Sequence, residues 1–432
     1  MQTINIIQKT LDYIEDNLTA ELTIQDLAAQ AGFSPFYYER IFKQLVGIPV
    51  MSYLTRRRLL HAACAISKGA KVINTALLYG FDTSAGFYKA FVREFGCAPS
   101  SFSARHTAPI PYPIKLRQED HIMITKKTIE KLLPQWNMTG CSVTDFYHPG
   151  TDSRADNLWQ VGENFLLKVT ANKAGLIQHN KISRALTNAG FHAALPVPTI
   201  RGEDYLTEGQ LYFCMTKKLP GDTIASHTLY SSGEIAFELG VGIGRLDSLL
   251  QIYGEELVLN EPNLPEILQT YAIPASKSLL SLPEQFYDNL VSQLVILYPK
   301  LPRQLIHRDP NSDNILWQGK TVTGFLDFEL SEKNIRIFDP CYAATAVLSD
   351  SFMNSEYDRE TWPSLLHKII AGYDSIVALS LEEKQAIPYV IFAIQLICIS
   401  FFSRFEKHKR LADINADMLT WLVKNQARIS II

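Results

Sequence analysis

One pattern occurs twice in the first 107 residues. The first copy runs from Thr23 to Ser34 (TIQDLAAQAGFS) and is followed by Phe42 and Gly47; the second runs from Val72 to Asp82 (VINTALLYGFD) and is followed by Phe91 and Gly96. Each copy reads as a short helix, a glycine turn and a second helix that begins at a polar cap. A repeat of this kind confines the segment to an all-α fold.

The local signals agree with that frame. Ile4, Ile7, Leu11, Ile14 and Leu18 recur at helical spacing and predict an opening amphipathic helix. Thr23 with Asp26 predicts a capping box, and Gly32 a left-handed stop. Ser34 caps the next helix, with Pro35 at the first position, where no amide is needed. Ile41 and Phe42 should face the core, while Phe36, Glu39 and Arg40 share the opposite, amino-terminal face. In the second copy Asp82 or Thr83 is the cap; Phe87 and Phe91 point inward, and Ser84, Ala85, Gly86, Tyr88 and Lys89 point outward. A connecting helix from about Val50 to Ser67 carries Arg56, Arg57 and Arg58. These arginines fit a solvated face and contact with phosphate about equally. A rigid connector would hold the two recognition helices roughly 34 Å apart, one turn of duplex, so both can enter the major groove from one side.

Charge divides along the same line. Residues 1–107 hold 11 Lys/Arg against 8 Asp/Glu, whereas the remainder holds 30 against 36. A mildly basic head on an acidic body suits a head that meets phosphate. The stretch RHTAPIPYPIKLRQE, with prolines at 109, 111 and 113, favours extended backbone and predicts a linker over 108–125. A helix from Ile124 to Leu133 should follow.

In the second half the informative segment is His307-Arg308-Asp309-Pro310-Asn311-Ser312-Asp313-Asn314, continuing to Asp327-Phe328. Asn314 opens an apolar run, Gln318-Gly319-Lys320 reads as a turn, and Thr321 to Phe328 is a second run. An antiparallel hairpin would return Asp327 beside Asn314. With Asp309 in the loop before it, two carboxylates and an amide converge, which suits Mg²⁺ carrying phosphates. Asp309 would accept a proton from a substrate hydroxyl. Lys168 sits in the strand pattern NFLLKVT, preceded by a strand over Asn157 to Val161. That is where kinase folds hold nucleotide phosphates. Leu211 to Met215 predicts another strand, and Thr216 to Leu219 a hinge between lobes.

Residues 1–107 resemble the DNA-binding module of the AraC/XylS family of bacterial regulators, through LTIQDLAAQAGFSPFYYERIFKQLVGIPV and VINTALLYGFDTSAGFYKAFVREFGCAPSSF. The resemblance implies base contacts from Phe36, Glu39, Arg40, Ser84, Ala85, Gly86, Tyr88 and Lys89. Ala85 and Gly86 depart from the family in offering little hydrogen bonding. In many members this module closes the chain; here it comes first, which puts the expected sensor downstream. Residues 126–432 resemble the aminoglycoside phosphotransferase and choline kinase-like family. That resemblance implies Asp309 as base, Asn314 and Asp327 as metal ligands, and Mg²⁺ and ATP or another nucleotide held by Lys168, Ser153, Met215 and Lys217. Two departures stand out. The segment from Ala171 to Ala189 contains no Glu or Asp where the family places a lysine partner, with His179 or Asn180 near that place, and the loop Gly150-Thr151-Asp152-Ser153-Arg154 has one glycine.

The expected architecture is therefore multidomain: an all-α double helix-turn-helix domain (1–107), a linker (108–125), and an α+β bilobal protein kinase-like domain (126–432) with lobes over 126–217 and 218–432. Six scattered cysteines without C-x-x-C or zinc spacing fit reduced thiols in the cytoplasm. Lys9, Asp12, Glu15 and Asp16 do not fit a secretory signal. The apolar stretch 386–402 is short for a span and reads as a core helix, so no membrane is expected. Three functions fit: a DNA-binding transcriptional regulator sensing a small molecule or nucleotide, with double-stranded DNA and RNA polymerase as partners; an active small-molecule phosphotransferase with a DNA-binding regulatory domain; or a regulator whose second half is a scaffold for self-association.

Overall fold

The computed structural model describes residues 2–105, 111, 114, 116, 124, 126–147, 154–209, 211–254, 260–353, 358–405 and 408–432. The chain forms two compact units, Met1–Lys173 with Pro196–Lys218, and Ala174–Leu195 with Leu219–Ile432. The expected linker lies largely outside the described residues.

The first unit begins with seven helices: α1 (Gln2–Asp16), α2 (Ile24–Gln30), α3 (Pro35–Val46), α4 (Val50–Ser67), α5 (Val72–Leu78), α6 (Ser84–Phe95) and α7 (Pro99–Arg105). Thr23 and Asp26 form the reciprocal capping box, and Ser34 and Thr83 accept the Tyr37 and Gly86 amides at the starts of α3 and α6. Gly32 and Gly80 take positive φ after the first helix of each copy, at 71° and 73°, where a side chain would be strained. The helices enclose two apolar cores. One gathers Ile7, Leu11, Tyr38, Phe42 and Tyr53; the other gathers Leu59, Ala63, Phe87, Phe91, Phe95 and Phe102. Helix α4 supplies residues to both and so ties the two copies together.

The three arginines of α4 bond within the first unit rather than lining a solvated face, Arg58 being half-buried. Arg56 and Arg57 are buried; Arg57 pairs with Glu15 at 2.5 and 2.8 Å, and Arg58 donates to the carbonyls of Leu18 and Ala20. The helix is central, so its arginines are consumed in joining α4 to α1, to the turn after α1 and to α6.

The same unit contains α8 (Lys126–Leu132), a 3₁₀ turn (Leu133–Trp136) and an antiparallel sheet in the order β1-β2-β3-β5-β4, from β1 (Val143–Tyr147), β2 (Arg154–Val161), β3 (Phe165–Thr170), β4 (Leu206–Glu208) and β5 (Leu211–Lys217). The expected helix thus ends at Leu132, because Pro134 disfavours helical backbone in the residue before it. Strand β5 runs two residues beyond Met215, and the unit ends at Lys218, within the expected hinge.

The second unit holds nearly all of α9 (Lys173–Asn188), then α10 (Ser226–Ser231), α11 (Gly233–Tyr253), α12 (Leu264–Ile267), α13 (Ile273–Ser276) and α14 (Glu284–Leu297). Four short strands follow: β6 (Arg303–Ile306), β7 (Ile315–Gln318), β8 (Thr321–Phe325) and β9 (Glu332–Ile335), paired as β6 with β9 and β7 with β8. Helices α15 (Phe338–Met353), α16 (Trp362–Ile376), α17 (Leu381–Phe402), α18 (Lys409–Lys424) and α19 (Gln426–Ile429) complete the unit. Among the described residues, α17 alone has the length and apolarity of a membrane span; 67% of that stretch is buried, and its Ile387, Val390, Ile394 and Ile399 belong to the apolar core.

Close helix packing depends on glycine here. A Cβ on Gly240 of α11 would lie 1.9 Å from the Ile369 carbonyl, and one on Gly372 of α16 would lie 1.9 Å from the Phe237 carbonyl. The two backbones therefore nearly touch, and α16 backs the helix that supports β6 and β8.

Candidate functional site

Helices α3 and α6 expose the residues expected to meet DNA. Phe36 is 83% exposed, and Glu39, Arg40, Ser84, Ala85, Gly86, Tyr88 and Lys89 are all exposed. Tyr38, Phe42, Phe87 and Phe91, interleaved with them, are buried. Helical periodicity puts the two sets on opposite faces, so burying the aromatics fixes the outward face without further contacts. Arg40 lies over the ring of Tyr37 at 5.2 Å, a cation–π contact that orients it. The amide of Gly86 is held by Thr83 Oγ1 at 3.0 Å, so the small residues opening α6 belong to a formed first turn.

In the second unit the expected hairpin forms one residue out of the expected register: Asn314 lies opposite Leu326 rather than Asp327, and a bulge between Leu316 and Trp317 shifts the ladder. Ile315 pairs with Phe325 and Leu316 with Gly324, and the Leu326 amide donates to the Asn314 carbonyl at 2.8 Å. The second strand stops at Phe325, short of Phe328. Leu326 turns back to Asn314, and Asp327 takes a left-handed φ of 60°. Non-glycine residues in that region are held by their surroundings at a cost of about 1–3 kcal/mol and cluster at functional sites. Arg308 is a second such residue, with φ 79°.

The loop containing Asp309 is pinned from below. Asp339, at the start of α15, accepts the amides of His307 at 2.7 Å and Arg308 at 2.9 Å. His307 is fully buried; its Nε2 meets the Leu326 carbonyl at 2.7 Å, and its Nδ1 accepts the Asp309 amide at 3.3 Å. That pattern assigns the ring proton to Nε2. Arg308 is fixed by Glu332 at 2.8 Å and by the Phe338 ring at 4.4 Å.

Three side chains orient the Asp309 carboxylate. Asn311 Nδ2 donates to Oδ1 at 2.9 Å, Asn314 Nδ2 donates to Oδ2 at 3.3 Å, and the Tyr342 hydroxyl bonds to it as well. Burial pushes its pKa above the ordinary carboxylate value, against the opposing pull of Tyr342 and Asn311. Tyr342 and Asn311 were missed in the sequence. Tyr342 stands three residues after Asp339 on α15, so helical spacing was the available signal.

Helix α9 meets the far side of this loop. His179 stacks on Phe328 and its Nδ1 accepts the Phe328 amide at 3.1 Å, while Gln178 Nε2 donates to the carbonyls of Phe328 and Ser331. The residue near the family's usual carboxylate position is thus committed to the Asp327-Phe328 turn.

Lys168 lies in the first unit, mid-strand in β3, opposite Leu158 and Cys214. It alternates with the buried Leu167 and Val169 and so faces away from the sheet's core. Met215 is fully buried in that core and its carbonyl accepts the Val197 amide, whereas Lys217 is exposed at the strand end. Ser153 lies outside the described residues.

Known proteins match both parts. Residues 27–105 match the helix-turn-helix domain family of AraC type, and residues 153–383 match the phosphotransferase enzyme family. The HTH-type transcriptional activator AarP of Providencia stuartii is 36% identical over 104 residues, covering 24% of this chain and 77% of AarP. A choline/ethanolamine kinase family protein from Mesorhizobium loti shares the fold with a TM-score of 0.50 at 14% identity, covering 72% of this chain and all of that one. The GDP and kanamycin complex of the phosphotransferase APH(2")-IIia gives a TM-score of 0.50 at 13% identity, covering 69% of this chain and 98% of that one. With an AraC-type helix-turn-helix module at residues 27–105 and a match over more than half its length, the chain belongs to the phosphotransferase enzyme family.

Proposed function

We propose that the protein is a sequence-specific transcriptional regulator whose kinase-like part (126–432) binds a small molecule, a nucleotide or both, and reports occupancy to the DNA-binding part (1–107) across the 108–125 linker. The observation that carries this reading is the exposure of all eight recognition-helix residues in a chain that also holds an oriented catalytic-loop aspartate. Double-stranded DNA read in the major groove is the direct partner, RNA polymerase the effector, and the cytoplasm the compartment. A ligand shifts an equilibrium only by its differential affinity for the two states. Operator affinity should therefore change when Mg-ATP or the right small molecule is added. Identical affinity throughout, with no ligand detected by calorimetry, removes the sensor.

Mg²⁺ with ATP fits the donor set. Asn314 directs its nitrogen at Asp309, which leaves its oxygen at the other end of the amide, and Asp327, near enough to act electrostatically on the Asp309 carboxyl, would add a carboxylate. Two oxygen ligands completed by phosphate suit a hard cation that keeps few protein ligands. Among the described residues no group of three or more His, Cys, Asp or Glu side chains forms a ready cage, so phosphate oxygens would complete the shell. When bound, the ion offsets charge developing on a transferred phosphoryl group. Lys168 and Lys217 would contact the nucleotide, with Ser153 and Met215 as further proposed contacts.

The second reading is an active phosphotransferase acting on a small hydroxyl compound. It is favoured by the Asp309 carboxylate being held by Asn311 and Asn314, with its pKa raised by burial. Turnover of ATP against a panel of amines and sugars, absent in Asp309→Ala, would establish it.

A further inference from the structure

The buried guanidinium of Arg56 stands where two parts of the first unit meet. Its Nε donates to Glu94 Oε1 at 2.7 Å, and its Nη1 donates to the Ile124 carbonyl at 3.1 Å. Glu94 lies in the last turn of α6, the second recognition helix. Ile124 places its side chain in the core of the five-stranded sheet, with Val143 and Trp159. One arginine thus bonds at once to a recognition helix and to the segment that enters the sheet.

Packing repeats the connection. Arg93, Glu94 and Gly96 line a cavity of about 20 Å³ together with Val143 to Asp145 of β1 and Trp159 of β2. That space holds about one water, so the end of α6 and the sheet are close to direct contact. Further back, Gln8 of α1 accepts the Leu116 amide at 2.6 Å and donates to the Ile114 carbonyl at 2.8 Å. The chain between the helices and the sheet is therefore held against α1 at those two residues.

The placement is selective. The joint grips the carboxyl end of α6, whereas Ser84 to Lys89, the DNA-facing residues, lie at the other end. On the sheet side Trp159 pairs in register with Leu167, and Leu158 with Lys168. The strand bearing the proposed nucleotide lysine is one hydrogen-bonded strand from the joint. Arg56 is buried and Glu94 half-buried, so a displacement of α6 strains a pair whose arginine has little access to water. A tilt of α6 and a shift of the sheet must therefore move together.

We propose that Arg56, bridging Glu94 and Ile124, couples the second recognition helix to the five-stranded sheet, so that DNA on α6 and a ligand on the sheet bias each other. This deepens the regulator reading and rests on it. Coupling between two binding sites is reciprocal, so DNA can serve as the probe while the small molecule is unidentified.

The test is amide hydrogen exchange on the full chain, with and without a mixed-sequence 40-base-pair duplex at low salt, where phosphate attraction ensures occupancy. In the wild type, exchange should slow in α6 and also in residues 143–145 and 158–161, there by about fivefold or more. In Glu94→Gln the α6 response should persist and the sheet response should vanish. Should that variant fail to fold, Arg56→Lys keeps the charge and removes the fork, with the same expectation. A sheet that does not respond in the wild type, or that responds equally in the variants, overturns the coupling while leaving DNA binding intact. No response in α6 overturns the coupling and the DNA-binding reading beneath it.

Discussion

Asn314 donates twice through Nδ2 to Asp309, at 3.0 Å to its carbonyl and at 3.3 Å to its carboxylate. The same amide that steadies the proposed base is the proposed ligand for the cation. Replacing Asn314 with Ala should therefore weaken Mg-dependent nucleotide binding by about 10–100-fold, as loss of supporting groups at metal sites does. Calorimetry with Mg-ATP measures it; unchanged affinity rejects Asn314 as a ligand.

Asp309→Asn separates binding from chemistry. Nucleotide affinity should persist, and any phosphoryl transfer should fall by about 10²–10⁴-fold, the usual contribution of a positioned base. Burial raises the Asp309 pKa, and the ionised form is the base, so kcat/KM should decline as pH falls through that raised value. A flat profile with full activity in the variant excludes Asp309 from the reaction.

Beneath the loop two carboxyl groups are buried together. Asp247 of α11 accepts the Tyr373 hydroxyl at 2.7 Å, and both Asp247 and Asp339 have raised pKa values, chiefly through burial. Asp339 holds two backbone amides and is the partner suited to carry the charge. A raised folded-state pKa favours the protonated fold, so this stability is present below the ordinary carboxylate value, about 3.9, and is lost as pH rises through the raised one. Asp247→Asn should remove that loss. Its gain relative to wild type should grow as pH rises above the ordinary carboxylate value, read by urea unfolding. Parallel pH curves for the two proteins reject the assignment.

The arginines of α4 should prove structural. Arg57→Ala should destabilise the helical region by about 1.5–3 kcal/mol, because it takes the guanidinium from Glu15 and leaves it only Tyr53 and His61. In the folded protein at low temperature, the salt dependence of DNA binding should stay as it was. Arg40→Ala and Lys89→Ala should do the reverse, leaving stability intact and lowering the salt slope by about one each if they meet phosphate. Equal melting curves for Arg57→Ala and wild type would contradict the buried pair.

Much of the site was legible because its signals are local. The caps at Thr23, Ser34 and Thr83, and the alternation of buried and exposed residues in α3 and α6, follow from hydrogen-bond geometry and helical period. The hairpin followed from a turn midway between two apolar runs, but its register was read one residue off, since a bulge brings Leu326 rather than Asp327 opposite Asn314. What escaped were pairings between distant segments. Arg56, Arg57 and Arg58 look identical in a helix that could face water, and only packing shows them bound to Glu94, Glu15 and the Leu18 carbonyl. Asp247 and Tyr373 are 126 residues apart, and no local pattern announces their meeting.

Residue type and spacing alone determined the paired reader helices, the kinase-like loop and the order of its functional groups. These depend on neighbours within a few positions along the chain, where backbone geometry leaves few alternatives. Tertiary structure decided which charges are consumed internally, which carboxyl groups share a buried space, and which helix end the sheet grips. Those outcomes depend on burial, and burial belongs to the folded whole, since a side chain's partners are set by the surfaces that close around it.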